Sequence, residues 1–214
     1  MSNLLFGPDV RPSAEMVVEL INTSPARQGE EGLDDTETLR AMGRRTNVYY
    51  RPDGSRAELL AMRRLRDRLD EIVSAADERS RFEMLNALFC SASAIPQIVT
   101  HEEDPRPHFH YTLEDASYVD HLKGVSAYAL SRLIIIGEWQ RLRTCSGEAC
   151  NRLFLDTTRN GKRLYCDSRT CGNRIHAARY RIRTAERSAL SDGDPAAAQE
   201  HIAPEQPKSA LTRG

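Results

Sequence analysis

The stretches TCSGEAC (144–150) and YCDSRTCGNR (165–174) decide how this chain is organised. They hold Cys145 and Cys150 in a C-x4-C pattern and, after fifteen residues, Cys166 and Cys171 in the same pattern. Zinc takes four soft ligands at tetrahedral corners about 2.3 Å from the metal. Two cysteine pairs flanking a hairpin-length insert can supply that set. Within the insert, LFL (153–155) and RLY (163–165) are short strand candidates, with a turn at Asn160-Gly161. A hairpin of those two strands is expected to bring the second pair back beside the first. Cys145, Cys150, Cys166 and Cys171 are therefore read as the ligands of one structural zinc ion. Four thiolates close the shell and leave no position for water, which argues against a catalytic metal. The alternatives are reduced thiols or two disulfides; a C-x-x-C redox motif is absent. Cys90 lies apart and is read as a small buried apolar residue.

The charge around these cysteines is uneven. The whole chain carries 30 basic and 31 acidic residues, a net charge of −1, yet residues 141–187 carry twelve Arg or Lys and four acids. That window is at +8 and the remainder at −9, the asymmetry expected when one part of a protein meets a polyanion. Past Cys171, residues 172–189 read as a helix. At about 100° per residue, Ile175, Ala178, Ile182, Ala185 and Ala189 gather on one face. Arg179, Arg183 and Arg187 form a ridge on another, and Arg174 and Arg181 flank the apolar stripe. With Arg159, Lys162 and Arg163, these are the candidate nucleic-acid contacts, since cationic forks match phosphates and guanine edges. The competing reading is a solvated helix face. Some arginines can also serve to neutralise a four-thiolate zinc of about −2 charge, which leaves the module near +6. Asn173 can pair with a base, cap the helix or hydrogen-bond a thiolate; Gly172 permits a tight approach at the metal.

Cys171-Gly172-Asn173-Arg174 resembles the signature of the CGNR zinc-finger family. Arg141 to Cys145 and Phe154 to Asn160 are also similar to that family, although Tyr165 stands where a Trp is usual. The resemblance implies a treble-clef-like finger preceded by an N-terminal α/β domain called ABATE, whose early apolar run ends in Asn-Thr. Val18 to Thr23 is similar to that opening. Members are described as stress-linked transcription regulators, so the resemblance implies zinc, DNA as a partner and a regulatory role.

Upstream, the pattern is mostly helical. Residues 16–21 (MVVELI) read as a strand or a buried helix start, broken by Asn22-Thr23-Ser24-Pro25. Asp35 or Thr36 can cap a short helix reaching Gly43. Ser55-Arg56-Ala57-Glu58 has the form of a capping box, followed at helical spacing by Leu59, Met62, Leu65, Leu69, Ile72 and Val73. A further helix is expected over 81–90. Residues 98–100 and 108–111 read as two strands of a hairpin. Thr112 is expected to cap a long helix over 113–142, buried nearly all round between Gly124 and Gly137. Residues 191–214 hold almost no large apolar side chain and read as a disordered tail. The fold class expected is α+β: a mostly helical N-terminal domain with a small β-hairpin (1–140), a small treble-clef-like four-cysteine zinc finger (141–190) and the tail.

Several functions fall away. No apolar run approaches the roughly 20 residues of a membrane helix, and 1–12 show no basic-then-apolar leader. A cytoplasmic location is expected. The cluster His101, Glu102, Glu103, Asp104, His108 and His110 can be a metal or catalytic site, but sits on a hairpin tip where hydration explains it. Gly-rich phosphate loops, H-E-x-x-H and G-x-S-x-G motifs are absent, so no enzyme is expected. The reading is a two-part regulator: a finger on DNA and an N-terminal domain that senses a small-molecule effector or holds a homodimer. The alternatives are a finger for RNA or protein contact, or an N-terminal small-molecule binder or enzyme with a purely structural finger.

Overall fold

The computed structural model describes residues 10–46, 53–100, 105–173, 177 and 180–184. Among the described residues, those up to Gly172 form one compact unit and those from Asn173 onward belong to a second. In the first unit, the run 16–21 is helical. Helix α1 (Val10–Asn22) buries Ala14, Met16, Val17, Leu20 and Ile21 almost completely. Apolar side chains on most of its circumference suit a helix enclosed by neighbours. Around it stand α3 (Thr36–Thr46), α4 (Arg56–Ser74) and α6 (Tyr118–Ile135), with the short α2 (Pro25–Gln28) following α1 and α5 (Glu78–Ser91) against α4 and α6. Leu39, Met62, Leu69, Ile72, Leu122, Leu130 and Leu133 close the core.

Local chemistry starts these helices. Asp35 accepts the Thr38 N–H ahead of α3. Ser55 Oγ accepts the Glu58 N–H at 3.0 Å, and the Glu58 carboxylate reaches back to the Gly54 N–H at 3.2 Å. The box thus closes one residue earlier than its reciprocal form, because Asp53 accepts the Ser55 N–H.

Strand β1 (Gln97–Val99) pairs antiparallel with β2 (His108–His110) in the register Ile98↔Phe109, the expected hairpin. Residues 101–104 of the acidic cluster lie outside those described. The long helix over 113–142 is corrected to 118–135. Ser117 caps α6, accepting the Asp120 N–H and donating to its carboxylate. Thr112 is instead buried beneath it, 3.3 Å from His121 Nδ1. At the other end Gly137 adopts φ +71° and ends the helix. A single 3-10 turn, Trp139–Arg141, then leads into strand β3 (Leu142–Thr144). Cys90 is exposed rather than buried, since α5 turns Leu85 and Leu88 inward and leaves Cys90 outside.

In the second unit, Asn173, Ala177 and 180–184 are helical, in keeping with a helix there. Thr184 Oγ1 donates to the Tyr180 carbonyl one turn earlier. Ile182, on the apolar stripe of that helix, is 59% exposed. The tail, 191–214, lies outside the described residues.

Candidate metal centre

The hairpin that builds the cysteine site is not 153–155 with 163–165. Strand β4 (Leu153–Leu155) pairs instead with β3, in the register Arg143↔Phe154. Cys145 and Cys150 therefore sit in the loop that joins the two strands. Two backbone bonds shape it: Cys145 N–H to the Arg152 carbonyl at 2.9 Å, and Cys150 N–H to the Gly147 carbonyl at 3.0 Å. The 163–165 stretch is irregular because its bonds go elsewhere. Leu164 gives its carbonyl to the Ser146 N–H, and the Arg163 N–H goes to the Asp156 carboxylate. Those two bonds lay the second cysteine loop against the first. Cys171 follows in a π-type turn (Ser168–Gly172), opened by Asp167, whose carboxylate accepts the Arg169 and Thr170 N–H groups.

The four sulfurs all lie within 4.8 Å of one another. Cys150 and Cys166 are 3.7 Å apart, and Cys166 and Cys171 are 3.8 Å apart. A regular tetrahedron with bonds of about 2.3 Å has edges of about 3.8 Å, so the cluster has the dimensions of a zinc site. The Cys166 N–H also points at Cys145 Sγ, at 3.3 Å. Burial raises the Cys145 thiol, but the N–H groups of Cys166 and Gly147 outweigh it and leave it below its ordinary value. Burial, with the neighbouring thiols, pushes Cys166 and Cys171 up. Four sulfurs this close cannot all ionise without a cation among them. A divalent zinc bound by Cys145, Cys150, Cys166 and Cys171 supplies that charge and ties the two loops together.

The sequence gives little warning of the supporting shell. Asp156 is completely buried, and the burial that would raise its carboxyl is outweighed by bonds from Thr158 and the Arg163 N–H, which lower it. The Arg141 guanidinium donates to the carbonyls of Asp156 and Thr158 at 3.0 and 2.6 Å and pairs with Glu138. Gly161, at φ +59°, leaves room for it: an added Cβ would meet Arg141 Nη1 at 3.3 Å. Asn22, at the end of α1, donates to the Leu153 carbonyl and accepts its N–H, both at 2.8 Å. Its amide thus completes the free edge of β4 as a strand would. Arg27 pairs with Asp70 of α4 and donates to Thr144 Oγ1 and the Asn151 carbonyl.

The cationic candidates divide. Arg159 and Lys162 are exposed. Arg163 is half-buried, its guanidinium spent on the carbonyls of Tyr165 and Cys166 and lying over the Phe154 ring. Arg181 and Arg183 are exposed in the second unit, while Arg174, Arg179 and Arg187 lie outside the described residues. Arg152 and Arg169, both exposed, were not singled out by the helical ridge. Their place beside Cys150 and Cys171 in the basic window is the signal that could have found them.

Two family models match the chain. That of the ABATE domain, described as "Putative stress-induced transcription regulator", covers residues 14–134, and that of the CGNR zinc finger covers 141–184. No curated protein matches. Among the described residues, no helix is long and apolar enough to cross a membrane.

Proposed function

The chain belongs to the ABATE family and carries a CGNR zinc finger, and from that premise we propose that it is a transcription regulator whose zinc module contacts DNA. The observation that carries the reading is the closed four-sulfur cluster set in a window of net charge +8. A metal of this kind organises a surface rather than a reaction, and neither matched family is an enzyme family. The exposed Arg152, Arg159, Lys162, Arg169, Arg181 and Arg183 offer cations to phosphates. One finger reaches few bases, so useful affinity calls for a second element or a second copy.

The N-terminal domain then supplies the signal. A cleft of about 390 Å3 lies between residues 25–29 and 149–152 and is bordered by Cys150. A small-molecule effector seated there would touch both α2 and the first cysteine loop. Exposed Tyr180 and Ile182 favour a second reading, in which the module contacts protein or RNA. Electrophoretic shift of the zinc-loaded protein with duplex DNA and with RNA of the same sequence separates the two. Retarded duplex at moderate salt, competed weakly by RNA, is the expected result. RNA-selective retardation, or none, would move the second reading ahead.

A further inference from the structure

Arg27, in α2, ties the first cysteine loop to α4. Its Nη1 donates to Thr144 Oγ1 at 3.3 Å and to the Asn151 carbonyl at 3.2 Å. Thr144 immediately precedes Cys145 and Asn151 immediately follows Cys150. One nitrogen therefore spans both ends of the loop that carries two of the four sulfurs. The rest of the guanidinium is anchored on α4. Nε donates to Asp70 Oδ2 at 3.2 Å, and Nη2 donates to Asp70 Oδ1 and, at 3.3 Å, to Ser74 Oγ. Each of the five N–H groups of the head group thus has an acceptor. The side chain is only 12% exposed, so this arginine has no donor left for a phosphate.

We propose that Arg27 is a positioning residue for the metal, setting the zinc affinity of the cysteine cluster by holding the mouth of the first ligand loop. The bond from the Cys145 N–H to the Arg152 carbonyl closes the same mouth. Arg27 fixes that closed mouth against α4, so Cys145 and Cys150 are in place before the ion arrives. A site arranged in advance binds more tightly, because less ordering remains to be done on binding. The chemistry selects arginine. A lysine ammonium can pair with Asp70, but as a compact point donor it cannot serve carboxylate, hydroxyl and carbonyl from one rigid fork. The coupling is reciprocal: where α4 raises zinc affinity through Arg27, zinc stabilises the α4 end of the clamp by the same factor. The cleft lined by Arg27 and Cys150 opens on this joint, which gives an occupant of it a route to the metal. The inference rests on the zinc reading and is independent of DNA.

Competition between the zinc-loaded full chain and a chromogenic chelator, at one pH and without nucleic acid, tests it. Arg27→Ala should weaken zinc binding about 10–100-fold, the usual effect of losing an outer-shell partner. Arg27→Lys should recover little of that loss. Melts of the metal-free and zinc-loaded protein separate positioning from bracing. A residue that only braces the helices lowers both melts alike and leaves zinc affinity unchanged, whereas loss of the clamp should cut the upshift that zinc gives. Should Arg27→Ala fold poorly, Thr144→Val keeps a β-branched side chain at an exposed position of β3 and removes one acceptor. It should weaken zinc binding several-fold with the metal-free melt unchanged. Unchanged affinity in folded Arg27→Ala or in Thr144→Val overturns the inference, as does full recovery in Arg27→Lys. The zinc content of the parent reports separately on the metal reading, so the two failures are distinct.

Discussion

Asn22 joins the end of α1 to the edge of β4 through two hydrogen bonds at 2.8 Å. Replacement by Ala leaves the Leu153 N–H and carbonyl without partners in a buried place, and should cost about 2–3 kcal/mol in denaturant unfolding. Asn22→Asp is a sharper case, since its carboxylate keeps the acceptor but faces the Leu153 carbonyl. Asp156 makes a different kind of prediction. Its carboxyl is lowered on folding, so its contribution is full above the ordinary carboxylate value and is lost as pH falls through the folded value. Asp156→Asn, which cannot accept from both Thr158 and the Arg163 N–H, should destabilise by about 1–3 kcal/mol at neutral pH. That deficit should shrink as the pH of the melts is lowered below about 4. A deficit constant across the acid range would show that the charge of Asp156 contributes nothing.

Elements here are set by their ends. Ser55 and Ser117 each accept an N–H three residues on, from Glu58 and Asp120. Ser55→Ala should lower stability by about 1 kcal/mol, read from the unfolding midpoint at constant slope. Periodicity alone carried α6 back to Thr112 and forward to 142, because the apolar pattern does not stop there. Capping chemistry at Ser117 and the positive φ of Gly137 decide its limits. The strand reading of 163–165 failed for another reason. Strand candidates state that a segment can be extended, not which neighbour offers it free N–H and carbonyl groups. Leu142 to Thr144, next to the first cysteine, offer β4 those groups, whereas 163–165 give theirs to Asp156 and Ser146.

At the scale of the molecule, Leu153 and Leu155 belong to the same core as α1 and α6. Removing zinc with a strong chelator, or replacing Cys166 by Ser, should therefore lower the melting temperature of the helical unit as well as release the cysteine loops. Metal analysis of reduced protein purified without added metal should find about one zinc per chain. Charge makes the companion prediction. Arg179, Arg183 and Arg187 changed together to Ala should flatten the slope of log affinity against log salt by about two to three units, and weaken binding to any duplex. An unchanged slope in the folded, zinc-replete variant would leave the ridge a solvated face.

The zinc ligands were legible because metal chemistry demands a residue type at a spacing, and both are written in one dimension. The capping box at Ser55 and the 97–110 hairpin were legible for the same reason: their partners are near in sequence. What Asn22, Arg27, Arg141 and Asp156 do was not, because each acts on a backbone group brought to it by folding; the Asn22–Leu153 bonds span 131 residues. A polar side chain at the end of a helix reads as a cap or a surface residue until the strand it completes is in place. The same holds for Cys90 and Ile182, apolar by type and exposed by position. Composition and spacing by themselves determined the chemistry of the metal site and the helical character of the domain. Only the tertiary structure decided which strand pairs with which, which cations are already committed to carbonyls, and which apolar side chains are left exposed, since each depends on who the neighbours are in space.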